Sequence, residues 1–172
     1  NLQVENVLKI SQLENKNILL TKTKTNINEI ILKSVSSVKL LLDEKNGSID
    51  LKLAKNIIEF EFAFNEMINV FINMLDNSIK YSKEQPKIDI ETYMEKDVIN
   101  VKISDNGIGM STKVKNKIFE NFYRESKGNI HNVKGHGLGL SYVKKIVDLH
   151  VGTISVFSEL NKGTSFTLSF NV

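Results

Sequence analysis

An α+β fold, a mostly antiparallel sheet with helices packed on one of its faces, is what these 172 residues predict. Three observations carry it. Stretches with strict two-residue alternation outnumber stretches with helical spacing. The alternating stretches come in consecutive pairs and do not alternate one by one with helices. Each has one polar face, so the sheet buries only one side.

In chain order, residues 2–13 (LQVENVLKISQL) space Leu2, Val4, Val7, Leu8 and Leu13 like part of an amphipathic helix. The segment LLTKTKTNI alternates threonine with lysine and reads as extended. INEIILKSVSSVKLLLDEKN reads as a helix that stops near Asn46–Gly47, a good termination signal. SIDLKL (Ile49, Leu51, Leu53) and IEFEFAF (Ile58, Phe60, Phe62, Phe64) alternate as strands. Asn65 is the expected N-cap of the next helix, because its short side chain accepts from a first-turn N–H. KIDIETYM and VINVKIS form the next strand pair, and DNGIG ends the second of them. Residues 124–137 are polar, glycine-dotted and without period, as a loop is. GLSYVKKIVDLH is helical, and TISVFS with TSFTLSFNV closes the chain as an antiparallel pair, with Phe166, Leu168, Phe170 and Val172 on one face.

Composition excludes more than it selects. The length fits one domain, or one domain plus an appendage. A net charge of +3 is too small to argue for nucleic acid or an anionic membrane. With no cysteine there is no disulfide framework and no thiolate nucleophile. No apolar run approaches the ~18 residues of a membrane span. The chain begins at Asn1 and not Met, as expected of a fragment.

Four islands carry chemistry. On the helix that carries INMLDNSIKYS, the residues Glu66, Asn69, Asn73, Asp76, Asn77 and Lys80 share one stripe, opposite Ile68, Phe71, Ile72, Leu75 and Ile79. The plain reading is a solvated face. The sharper one is a metal–phosphate ledge, where an amide oxygen ligates Mg²⁺ and a lysine one turn on meets phosphate. In SDNGIGM, Asp105 follows a half-buried strand, and Gly107 and Gly109 let the backbone approach something closely. A plain turn is the alternative. In KIFENFYR, Phe119 and Phe122 read as core aromatics on a short helix, with Arg124 in reach of phosphate. In GHGLGLSYV, Gly135, Gly137 and Gly139 open a helix whose first N–H groups make an anion site. The spacing is neither a dinucleotide fingerprint nor a P-loop.

Taken in order, NMLDNSIKYS, DNGIGM, FENFYR, GHGLGL and a terminal GTSFTLSF closely resemble the catalytic, ATP-binding domain of bacterial sensor histidine kinases. The resemblance covers residues 15–172. It implies the two-layer α/β sandwich shared with gyrase, the Hsp90 chaperones and MutL, built on a mixed, mostly antiparallel sheet. It implies ATP and Mg²⁺ as ligands, with Asn77 as the metal ligand and Asn73 its partner one turn earlier. Asn73, Lys80 and Arg124 become the catalytic group, and Lys80 and Tyr81 phosphate contacts. Asp105 becomes the reader of adenine, beside Gly107, Ile108 and Gly109. Residues 124–137 become a lid, flanked by Tyr123 and Arg124. Gly135, His136, Gly137, Leu138, Gly139 and Leu140 line the phosphate side, and Thr164 and Phe166 approach the adenine pocket. Residues 1–14 resemble the end of the dimerisation and phosphoacceptor hairpin, whose histidine is not in this chain. His131 and His136 fall in or beside the lid, and His150 ends a helix as a favourable dipole partner; a satisfied structural or solvent-exposed role is expected of each. The implied partners are that dimerisation domain and a response regulator receiver, in a homodimeric parent. No nucleic-acid or direct membrane contact is expected, and the domain is expected to be cytoplasmic.

Four functions compete. A phosphotransferase would pass the γ-phosphoryl group to a histidine elsewhere. A hydrolase of the same superfamily would carry glutamate where this chain has Asn73, as the base that activates water; an amide lacks that basicity. A protein-serine kinase of the anti-sigma type is a nearer rival, disfavoured by FENFYR and the hairpin stub. A non-catalytic nucleotide-binding module would be expected to have lost the asparagines, aspartate or glycines, which are intact.

Overall fold

A computed structural model describes residues 20–57, 59–124 and 137–172. The expected helix at residues 2–13, Ile58, and residues 125–136 of the expected loop lie outside that set. The described elements are β1 (Thr23–Thr25), α1 (Ile27–Glu44), β2 (Ser48–Leu53), β3 (Phe60–Phe62), α2 (Phe64–Lys80), β4 (Lys87–Glu95) and β5 (Val98–Asp105). A one-turn helix α3 (Thr112–Lys115) follows, then α4 (Gly139–Leu149), β6 (Thr153–Glu159) and β7 (Gly163–Asn171).

The main sheet has five strands in the order β2-β4-β5-β7-β6. β2 runs parallel to β4, and every other pair in it is antiparallel. The parallel pair arises because the chain crosses from β2 to β4 through α2. Register sets the core. Ile90 lies opposite Ile103, Ile103 opposite Phe166, and Phe166 opposite Val156, so one apolar row runs across four strands. Ile88, Ile99, Val101, Leu168 and Phe170 complete that face and pack on Ile30 and Ile31 of α1, Met67, Phe71 and Leu75 of α2, and Val143, Ile146 and Val147 of α4. The expected class, a mixed and mostly antiparallel sheet with helices, is the one observed.

Several local expectations change. β3 is shorter than the alternation of IEFEFAF suggests, and it pairs with β1 in a separate two-stranded antiparallel sheet. Phe64, assigned to that strand, is the first residue of α2. Asn65 is not the N-cap of α2. Ala63 holds that position without a side-chain cap, and its N–H donates to His150 Nε2 at 2.9 Å. A distant imidazole thus meets the N–H of the N-cap residue itself, while no side chain caps the first turn. α1 has the local device instead: Asn26 Oδ1 accepts from the Asn28 N–H at 2.9 Å. It stops as expected, with Asn46 at φ 51° and the Gly47 N–H returning to the Leu42 carbonyl at 2.9 Å. The short helix lies at α3, upstream of KIFENFYR, which is a run of turns. Phe122 there is 66% exposed with φ 62°, so it is not a core aromatic. Val172 lies beyond the end of β7 and is exposed.

Candidate functional site

α2 is the spine of the site. Its buried residues are Met67, Val70, Phe71, Met74, Leu75, Ser78 and Ile79. Ile68 and Ile72, expected in the core, are only half-buried, because the buried arc is centred nearer Met67, Phe71 and Met74. The expected polar stripe of Asn69, Asn73, Asp76, Asn77 and Lys80 is half-buried throughout. A merely solvated face would be more open.

Each polar group on that stripe is placed. Asn73 Nδ2 donates to the Asn69 carbonyl at 2.8 Å, which fixes the amide. Its Oδ1 then faces the first residue of α4: a Cβ added at Gly139 would stand 3.0 Å from that oxygen. The Lys80 ammonium is paired with the Asp76 carboxylate one turn back. An ammonium has three donors, so this pairing leaves two. The Tyr81 N–H donates to the Asn77 carbonyl at 2.9 Å and closes the helix, and the Tyr81 carbonyl accepts from Ile108 N–H at 3.0 Å. That bond ties the end of α2 to the Asp105–Gly109 turn. Among the described residues the Asn77 side chain makes no hydrogen bond, and no group of three or more His, Cys, Asp or Glu residues stands ready to hold a metal. A metal held by a single amide and completed by phosphate oxygens is a donor set that suits Mg²⁺.

Asp105 ends β5 and is surrounded by donors. Its Oδ1 accepts from the Gly107 N–H at 2.9 Å and the Thr164 N–H at 3.1 Å, and its Oδ2 from the Ser78 hydroxyl at 3.1 Å. Burial pushes its pKa up, and the three hydrogen bonds, led by Gly107, pull against that. The glycines around it are required by contact. Gly109 has φ 64°, and a Cβ there would come within 1.9 Å of the Glu159 carbonyl. Gly163 has φ 96°, and its Cβ would come within 1.9 Å of the Asp105 carbonyl. Ser158 braces the same corner: its hydroxyl donates to the Gly163 carbonyl at 2.9 Å and accepts from the Met110 N–H at 2.9 Å. Thr164 adjoins Ser158, with 2.9 Å between their hydroxyls, and Phe166 is buried beneath.

The opposite end is built from Gly137 to Leu140. The Gly137 carbonyl accepts from Phe122 N–H at 3.0 Å, and Gly137 has φ 71°, where a Cβ would come within 2.7 Å of the Tyr123 carbonyl oxygen. Leu138 is buried at the N-cap of α4 without a side-chain cap, which leaves first-turn N–H groups for an anion. Tyr123 is half-buried under Lys117, whose ammonium is 6.0 Å from the ring centroid, and Arg124 is exposed. Gly135 and His136 lie outside the described residues.

The structure thus brings Asn73 to Gly139 and, five residues along the same helix, Ser78 to Asp105. Residues 64–172 match the model of the Histidine kinase-, DNA gyrase B-, and HSP90-like ATPase family. The chain belongs to that family. Sensor protein RprX of Bacteroides fragilis (strain YCH46) is 39% identical over 170 residues, covering 97% of this chain and 33% of that protein. Signal transduction histidine-protein kinase ArlS of Staphylococcus aureus (strain USA300) is 32% identical over 180 residues, covering 99% of this chain and 40% of that protein. The chain therefore spans between a third and two-fifths of the length of these relatives. The catalytic domain of the histidine kinase ThkA superposes with a TM-score of 0.75 at 26% identity, covering 87% of this chain and 95% of that one. Full-length ShkA, solved with AMPPNP, superposes at 0.83 with 19% identity, covering 97% of this chain and 34% of that one, a likeness of fold alone.

In this ATPase domain two polar residues, Ser78 and Tyr142, are not among those the sequence singles out, and a third, His150, proves to be buried. Ser78 stands on the buried arc of α2, where a serine needs a partner, and that position is the signal that could have found it. Tyr142 of α4 is buried; burial pushes its phenol up to about 12, the Asn69 amide opposing and nearby Glu66 adding to it. His150 is 2% exposed, so of its expected roles the structural one holds and the charged dipole partner does not. Nδ1 lies 2.7 Å from the Ile146 carbonyl, to which it must donate, while Nε2 accepts from Ala63. Burial lowers its pKa, and Lys22 adds to that against the Ile146 bond and Glu66. The ring is neutral and structural.

Proposed function

We propose that this domain binds Mg-ATP and transfers the γ-phosphoryl group to a histidine on a dimerisation domain outside these residues, for relay to a response regulator receiver. The observation that carries this over hydrolysis is Asn73. The side chain on that turn of α2 is an amide, pinned to the Asn69 carbonyl and seated against Gly139, so no carboxylate stands there to activate water. The nearest acid along the stripe, Asp76, is engaged by Lys80.

In this reading Asp105 receives the adenine amino group, flanked by Gly107, Ile108, Gly109, Thr164 and Phe166. Asn77 holds Mg²⁺, which neutralises phosphate charge when bound. Lys80, Tyr81, Tyr123, Arg124 and the Gly137–Leu140 turn surround the phosphates, with Gly135 and His136 completing that side. The chain's own contribution is positioning and charge, which is most of what phosphoryl transfer asks of a protein. Residues 15–172 form the catalytic domain and residues 1–14 the end of the dimerisation hairpin of a homodimeric parent. No described helix is long and apolar enough to cross a membrane, in keeping with a cytoplasmic placement of this domain.

The test is a phosphotransfer assay. Added in trans to a matching histidine hairpin, the protein should label it with an acid-labile, base-stable phosphoramidate, and alone it should release almost no phosphate. Rapid steady-state phosphate release that vanishes in Asn77→Ala would identify a hydrolase instead.

A further inference from the structure

Asp105 has more donors around it than a base-reading carboxylate needs. A carboxylate offers about four lone-pair sites. Gly107 and Thr164 N–H groups occupy both on Oδ1, and the Ser78 hydroxyl occupies one on Oδ2. One acceptor site is left, on Oδ2. The two N–H donors belong to the backbone of the turn after β5 and the start of β7, so they come with the fold. The third comes from a side chain on α2, and Ser78 is 4% exposed, so its hydroxyl cannot turn to water instead.

We propose that Ser78 is a specificity-determining positioning residue: its hydroxyl pins Oδ2 of Asp105 so that the carboxylate presents a single acceptor to the base. The inference rests on the reading of Asp105 as the adenine contact. A single fixed acceptor takes one N–H from an exocyclic amino group. A keto oxygen at the same place meets a lone pair, and neither partner can adjust. The Ser78 hydroxyl, committed to Oδ2, cannot turn to serve the keto group. Without it only the two N–H bonds to Oδ1 hold the carboxylate, Oδ2 can shift about them and offers a second open acceptor site, and an amino and a keto purine become less different. Ser78 therefore acts on the choice of base more than on binding as such, which separates it from a residue that only supports the fold.

The experiment compares ATP with inosine triphosphate, which differs in carrying a keto oxygen in place of the amino group. Dissociation constants are measured for both, on the whole 172-residue chain, in the unaltered protein and in Ser78→Ala, Ser78→Cys and Asp105→Asn. Loss of one hydrogen bond should weaken ATP binding ~3–10-fold in Ser78→Ala while inosine triphosphate changes less, so the preference narrows by a similar factor. Ser78→Cys, with a weaker donor of similar size, should fall between, and it serves if the alanine variant does not fold. Equal weakening of both nucleotides, or an unchanged preference in both serine variants, overturns the role of Ser78 while a sensitive Asp105→Asn leaves the adenine contact standing. An Asp105→Asn protein that binds ATP as the unaltered one does overturns the adenine contact and this inference with it.

Discussion

Thr164 and Asp105 stand opposite each other across β5 and β7, and the Thr164 N–H donates to Asp105 Oδ1 at 3.1 Å. This is a strand-to-strand neighbour pair bent to a different use. The end of the sheet, where ladder bonding stops, becomes the place where a backbone donor grips a side-chain carboxylate. Gly163, the residue before, touches the Asp105 carbonyl so closely that no Cβ fits between them.

Removing the carboxylate should weaken nucleotide binding without unfolding the protein. A hydrogen bond to a charged group contributes ~1.5–3 kcal/mol, so Asp105→Ala should lose roughly 10–150-fold in ATP affinity. Titration calorimetry on the folded variant checks it, and discrimination against GTP should shrink in parallel.

Gly163→Ala should damage stability and site together. The backbone at φ 96° is strained for alanine, and the added methyl meets the Asp105 carbonyl at 1.9 Å. The cost should be at least roughly 1–3 kcal/mol. Urea denaturation should show a lower midpoint. ATP affinity should fall even under conditions where the variant is fully folded, because the clash displaces the backbone of Asp105.

Asn77→Ala should separate metal from fold. Asn77 is half-buried on the polar stripe and its side chain bonds to no described residue, so its loss leaves no buried donor stranded. Thermal unfolding without ligand should shift little, while the dependence of ATP binding on Mg²⁺ should largely disappear. A protein whose ATP affinity still rises with Mg²⁺ as before would remove Asn77 from the metal site.

His150 should make the domain sensitive to acid. Its native pKa is lowered, so the folded protein resists a proton that the unfolded chain accepts near the ordinary value of ~6.5. The unfolded state then binds more protons, and stability falls as pH drops below that value, by at most ~1.4 kcal/mol per pH unit for this one group. Above it the contribution is constant. Urea midpoints at pH 7.5 and 5.5 should differ in the unaltered protein and converge in His150→Gln. That variant should itself be weaker at pH 7.5 if its amide misses the Ala63 N–H.

The strands of the main sheet were legible because alternation is a local property. Ile88 and Ile90, Ile99, Val101 and Ile103, and Phe166, Leu168 and Phe170 all face the core at two-residue spacing, and a one-residue slip would expose every one of them. The glycines at 109 and 137 were legible for the same kind of reason, since a positive φ and backbone within 3 Å of a would-be Cβ leave room for no other residue. So were Asn73 and Asn77, set on one stripe by helical period alone. What the sequence could not give is which distant group answers which. Asn65 looked like the cap of α2, but the N–H of Ala63 is met by His150, 87 residues away. Asp105 is held by Ser78 and Thr164, at separations of 27 and 59. Nothing in the pattern around either end of such a bond records the other, because a hydrogen bond depends on where the folded chain puts two atoms, and periodicity fixes only the face on which a side chain stands.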